Sequence, residues 1–111
     1  MVTRVLLVED NDVYRSSLEL LLGMQPGLEV VGAVGTGDAA AGSARDLAPD
    51  VVVMDYRLPG LDGAAVVCLT AEATEDEREE IMRSGAVALV EKGSSIEGLA
   101  VAIHAAAGRT H

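Results

Sequence analysis

Aromatic residues are nearly missing from this chain: it has no Trp, no Phe and two Tyr, Tyr14 and Tyr56. A core built without them must be aliphatic, and 50% of the residues are hydrophobic. A small, Ala/Val/Leu-rich core suits helices packed closely on a sheet. There is a single cysteine, Cys68, which excludes an internal disulfide and fits a reducing compartment. Basic residues are few, 8 against 18 acidic, for a net charge of -10. A surface this acidic repels phosphate backbones and anionic membranes. It argues against direct nucleic-acid binding by this chain and favours cations or a basic partner surface. No apolar run approaches the ~18–20 residues that span a membrane. No secretory pattern precedes the strand-like run Val5-Leu6-Leu7-Val8, so the expected location is cytoplasmic. Repeats, low-complexity tracts and linkers are lacking too, and residues 1–111 read as one domain.

What is present is an alternation of short apolar runs with longer helical ones. Thr3–Val8 reads as a buried strand and Asp12–Met24 as a helix, with Tyr14, Leu18, Leu21 and Leu22 at helical spacing. Asp12 is the expected N-cap, and Gln25-Pro26-Gly27 stops the helix. Leu28–Val34 is a second strand, Thr36–Ala48 a second helix, and Val51–Met54 a third strand, apolar on both faces. Val66–Leu69 and Val87–Val90 follow as strands. Thr74 with Glu77 and Ser94 with Glu97 form capping-box patterns that open the last two helices, which Gly85 and Gly108 end. Alternating strands and helices imply an α/β fold with a parallel sheet covered on both faces.

Carboxylates fall where strands end: Glu9 and Asp10 after the first, Asp55 after the third. Open parallel sheets bind ligands at the C-terminal strand ends. If the first and third strands are neighbours, three acids converge there and call for a cation, for which Mg2+ with oxygen ligands is suited. Thr70 ends the fourth strand and Lys92 follows the fifth. A hydroxyl and an ammonium at the same rim can bind phosphoryl oxygens. Together these groups describe an aspartyl-phosphate site. Each has a plainer role when taken singly: strand-end acids, a β-forming Thr, a surface Lys. Their placement at successive strand ends is what favours the site.

These residues resemble the receiver domains of two-component response regulators. The resemblance is carried by Val-Glu-Asp-Asn at 8–11, Val-Met-Asp-Tyr-Arg-Leu-Pro-Gly-Leu-Asp-Gly at 53–63, Leu-Thr-Ala at 69–71 and Glu-Lys-Gly at 91–93. The last helix, from Ile96 to Gly108, is similar to the subfamily with helix-turn-helix DNA-binding output. The resemblance implies a flavodoxin-like, doubly wound, five-stranded parallel sheet of order 2-1-3-4-5. It implies that Asp55 accepts a phosphoryl group from a sensor histidine kinase. Glu9, Asp10, Asp55 and the Arg57 backbone carbonyl would hold Mg2+. Lys92 would pair with the phosphoryl group, Thr70 would swing in to bond it, and the small Ala71 would leave the site open. It further implies homodimerisation on phosphorylation, and a DNA-binding output domain that is absent from residues 1–111. The chain would be a phosphoacceptor with self-dephosphorylation, not a turnover enzyme.

The sequence departs from the family in two places. The ten residues from Tyr56 to Ala65 can stretch about 33 Å, enough to return along a strand of about 17–20 Å but not to form a helix of normal length as well. A helix of roughly a dozen residues or more is therefore missing between the third and fourth strands. Either it is deleted, or a segment within Asp62–Cys68 is left out of the written sequence. The second is expected, because deletion would bare one face of the sheet. The other departure is Leu89, where the family commonly has Tyr or Phe to turn inward as Thr70 moves. Two other functions compete. A non-switching scaffold gains weight if the helix is truly gone. A Mg2+-dependent phosphohydrolase would need a second acid near the nucleophile, where Arg57 stands, and a cap for which there is no room.

Overall fold

Runs of β-branched and aliphatic residues form the strands, and small polar caps set where the helices begin. The computed structural model describes residues 2–55, 65–71 and 74–108. In chain order the elements are β1 (Thr3–Val8), α1 (Asp12–Gly23), β2 (Leu28–Val34), α2 (Gly37–Leu47), β3 (Val51–Asp55), β4 (Ala65–Thr70), α3 (Glu75–Arg83), β5 (Ala88–Glu91) and α4 (Ile96–Gly108). The strands form one parallel sheet of order β2-β1-β3-β4-β5, as expected.

Successive residues of a strand face opposite sides of a sheet, and here both sides are covered. Val5 and Leu7 of β1, Val51 and Val53 of β3, and Val67 and Leu69 of β4 pack with Leu18 and Leu22 of α1 and with Leu99, Ile103 and Ala106 of α4. Leu6, Val8, Val52, Met54, Val66 and Cys68 form the other face, packed with Ala40 of α2 and Ile81 of α3. The chain is thus doubly wound, with α1 and α4 on one side and α2 and α3 on the other.

The helix starts refine the sequence expectations. Asn11, not Asp12, caps α1: its side chain accepts the Tyr14 N–H at 2.9 Å, and Asp12 becomes the first helical residue. Asn and Asp cap equally well, so the motif alone does not fix the register. Ser95, not Ser94, holds the start of α4, its hydroxyl accepting the Gly98 N–H at 3.1 Å. That places Gly98 where a capping box needs an acid, so the expected Ser94–Glu97 box does not form. The Thr74–Glu77 box of α3 does form, with each side chain reaching the other's backbone N–H. Gly85 ends α3 at φ +105, a conformation that costs a side-chain-bearing residue energy. Thr74→Ala should lower stability by about 1 kcal/mol. Urea unfolding should show an earlier midpoint at unchanged slope.

β3 pairs directly with β4, from Val51↔Ala65 to Asp55↔Leu69. Residues 56–64 between them, including Tyr56, Arg57 and the first three residues of the Asp62–Cys68 stretch, lie outside the described residues. The face that a bridging helix would cover is nonetheless buried: Val52 0%, Met54 1%, Val66 8% and Cys68 6% exposed. The expected baring of that face does not occur among the described residues. Leu89 is half-buried and packs against this same cluster as an ordinary core residue.

Candidate functional site

Parallel pairing delivers the acids to one rim. Val8 of β1 is level with Met54 of β3, so Glu9 and Asp55 lie side by side where the two strands end. Asp10 follows directly. One carboxylate oxygen from each of Glu9, Asp10 and Asp55 lies within 4.8 Å of the others. Glu9 is fully buried, Asp55 is 3% exposed and Asp10 is exposed. Burying carboxylates side by side is unfavourable unless positive charge accompanies them.

Lys92 supplies part of that charge. It is the chain's only lysine. The Lys92 backbone N–H donates to the Thr70 carbonyl at 2.7 Å, which fixes where the side chain begins. Its Nζ lies 2.7 Å from Glu9 Oε1 and 3.2 Å from Asp55 Oδ2. The other Glu9 oxygen accepts the Asn11 N–H at 2.9 Å. Three acids against one lysine leave a formal surplus of two negative charges among these four side chains. A hard divalent cation with oxygen ligands fits both that surplus and the donor set.

Thr70, at the end of β4, is buried, and Ala71 just beyond it is exposed. Arg57, expected to offer a carbonyl, lies outside the described residues. Asp55 sits deeper than a freely exposed acceptor would, its side chain 4% exposed. The rim is open at Asp10 and Ala71. Cys68, one residue across from Asp55 in the β3–β4 pairing, is a buried free thiol. Burial, and then the Asp55 charge, push it above its ordinary range.

Two contacts were not evident in the sequence. Arg15 on α1 donates to the Glu9 carbonyl at 2.7 Å and pairs with Asp12 at 2.7 Å, clamping the turn that carries the acids. A Cβ on Gly35 would lie 2.8 Å from the Arg15 guanidinium, so glycine there leaves it room. Tyr14 reaches Lys92, with the ammonium 5.1 Å from the ring centroid and the hydroxyl donating to the Lys92 carbonyl at 3.3 Å. The helical spacing of Tyr14 marked it only as a core-facing residue.

Partial burial pulls the Lys92 ammonium downward in pKa, but hydrogen bonds and charge from Glu9 and Asp55 outweigh that and hold it above the ordinary 10.5. A raised folded value stabilises the fold fully below the unfolded value. That contribution is lost as pH climbs through the folded value. The unfolding midpoint should therefore hold up to about pH 10 and fall beyond it. Lys92→Met should lack this part of the fall, as urea titrations at several alkaline pH values would show.

Among known families, the response regulator receiver domain matches residues 5–104. The protein-glutamate methylesterase/protein-glutamine glutaminase 2 of Anaeromyxobacter dehalogenans is 35% identical over 108 residues, covering 86% of this chain and 32% of that protein. The transcriptional regulatory protein LiaR of Bacillus subtilis is 31% identical over 116 residues, covering 93% of this chain and 55% of LiaR. The chain thus spans about a third to a half of these relatives. A LuxR-family two-component response regulator from Aurantimonas sp. SI85-9A1 superposes with a TM-score of 0.87 at 28% identity, covering 98% of this chain and 87% of that one. The 108 positions aligned with the methylesterase cover only 86% of these 111 residues, so roughly a dozen of its positions face no residue here.

Proposed function

The chain belongs to the response regulator receiver domain family, and we propose that Asp55 is its phosphoacceptor, taking the phosphoryl group from a phosphohistidine of a sensor histidine kinase. The observation that carries this is the convergence of Glu9, Asp10, Asp55 and Lys92 on one strand-end rim. A carboxylate oxygen of Asp55 forms the new P–O bond as the P–N bond to the imidazole breaks. The imidazole nitrogen keeps the electron pair and takes a proton from solvent.

Glu9, Asp10 and Asp55 would hold Mg2+, with the Arg57 carbonyl as the further ligand implied by the family. When bound, the ion would offset the negative charge gathered by acids and phosphoryl oxygens. Lys92 Nζ lies 3.2 Å from Asp55 Oδ2, close enough to turn from the carboxylate to an oxygen of a phosphoryl group formed on it. Thr70, next along the rim, is the hydroxyl that would bond another. Return to the starting state would be by hydrolysis of the acyl phosphate, which makes the chain a switch and not a turnover enzyme.

Phosphorylation would act by shifting a two-state equilibrium that favours self-association. Residues 1–111 act as a single receiver unit. Transcriptional output through a part outside this chain is the reading that LiaR's description favours, and DNA binding by that part is what the family resemblance implies. The net charge of -10 disfavours direct DNA contact by this chain. Among the described residues no helix is long and apolar enough to cross a membrane, and a cytoplasmic site of action accords with a kinase partner.

Intact-mass spectrometry after treatment with acetyl phosphate and Mg2+ tests the proposal. One added phosphoryl group is expected, and none when EDTA replaces Mg2+. An unmodified protein under both conditions would favour the non-switching scaffold.

A further inference from the structure

Lys92 must place a flexible four-carbon stem so that its ammonium meets two acids at once. Such a side chain gives up considerable rotamer freedom when held. Glu9 and Asp55 attract it from one side, yet its side chain keeps 24% exposure. On another side stands Tyr14, which touches the residue at both ends. The ring lies 5.1 Å from the ammonium, and the hydroxyl donates to the lysine's own carbonyl at 3.3 Å. A cation within about 6 Å of an aromatic centroid is attracted to its face.

The ring itself is well anchored. Tyr14 sits in the first turn of α1, where the next residue, Arg15, is tied to the Glu9 carbonyl and to Asp12. Leu18 and Leu22 bury the same helix against the sheet. Tyr14 also borders a pocket of about 130 Å³ shared with Lys92, Leu69, Ser94 and Ile96. A smaller side chain at 14 would widen that space and give the lysine stem more rotamers. The electrostatic contact runs in both directions: burial raises the Tyr14 phenol above its ordinary value, the Lys92 charge lowers it, and the Glu9 charge raises it.

We propose that Tyr14 is a positioning residue for Lys92, holding the ammonium between Glu9 and Asp55 and so setting how fast Asp55 takes up a phosphoryl group. This rests on the phosphoacceptor reading above. It gives the one described aromatic ring at the site a role on the α1 side of the sheet, while Leu89 supplies no ring on the other.

The test is the rate of adduct formation with acetyl phosphate at saturating Mg2+, followed by intact mass. Tyr14→Leu should be slower by about fivefold, whereas Tyr14→Phe, which keeps the ring face, should stay within about twofold of the parent. A merely structural role would slow the reaction whether or not the lysine is present. A positioning role predicts that Tyr14→Leu adds nothing once Lys92→Ala has been made. Tyr14→Met carries the same cycle if the leucine variant does not fold. An unchanged rate in Tyr14→Leu, or an equal slowing in both lysine backgrounds, overturns the inference while leaving the phosphoacceptor reading intact. Failure of the parent protein to form any adduct overturns that reading, and the inference with it.

Discussion

Asp55→Asn should abolish phosphoryl uptake, lowering the rate by at least ~10³-fold, the scale on which removal of a nucleophile acts. The amide has the shape of the acid, so the strand end and its pairing with Leu69 persist. What it lacks is a charged oxygen able to attack phosphorus. Glu9 does not replace it, being fully buried with its oxygens engaged by Lys92 and Asn11. Asp10 is exposed and stands beyond the strand end, whereas Asp55 is the last residue of β3 with Lys92 Nζ 3.2 Å from its Oδ2. The mass spectrum of the variant should stay unmodified under conditions that convert the parent. Its urea midpoint should remain near the parent value, showing that chemistry and not folding has been removed. An adduct of equal yield on the variant would move the acceptor to another residue.

Asp10→Asn should weaken Mg2+ binding by about 10- to 100-fold, taking the loss known for supporting residues of metal sites as a floor. The surplus of two negative charges among Glu9, Asp10, Asp55 and Lys92 would fall to one. The effect reads out in stability as well as in chemistry. A ligand that binds only the folded state adds about 2.7 kcal/mol at one hundred times its Kd. Thermal unfolding of the parent should therefore shift upward on adding Mg2+, and the shift should shrink sharply in Asp10→Asn. Without metal, the variant should be no less stable than the parent, since a repulsive neighbour of two buried acids has been neutralised. Equal Mg2+ shifts in both proteins would place the ion elsewhere.

The strand-end geometry was readable in the sequence because it depends on little. A short apolar run followed by a helix fixes where a strand stops, and parallel pairing then brings the stops to one edge. Glu9, Asp10, Asp55, Thr70 and Lys92 follow from that rule, as does the strand order once the family resemblance is added. Helix caps were less readable, because neighbouring polar residues compete on nearly equal terms. Asn11 beat Asp12 and Ser95 beat Ser94 through register, which tertiary packing decides. Contacts between distant elements were not readable at all. The Arg15 clamp on the Glu9 carbonyl and the Tyr14–Lys92 contact join α1 to residues whose approach depends on the assembled sheet. A chain with a single lysine, placed just after the last strand, has concentrated its only flexible ammonium where three acids meet.

The lone thiol of Cys68 has a practical consequence. It lies on β4, between β3 and the edge strand β5, 6% exposed, and burial together with the Asp55 charge raises its pKa and favours the protonated thiol. Alkylating reagents attack the thiolate, so the native state should be nearly inert to them. Labelling then proceeds only when β4 or the helices that cover it come away, and its rate becomes a built-in clock for that opening. A cysteine introduced on the outside could meanwhile carry a probe without the native one being removed.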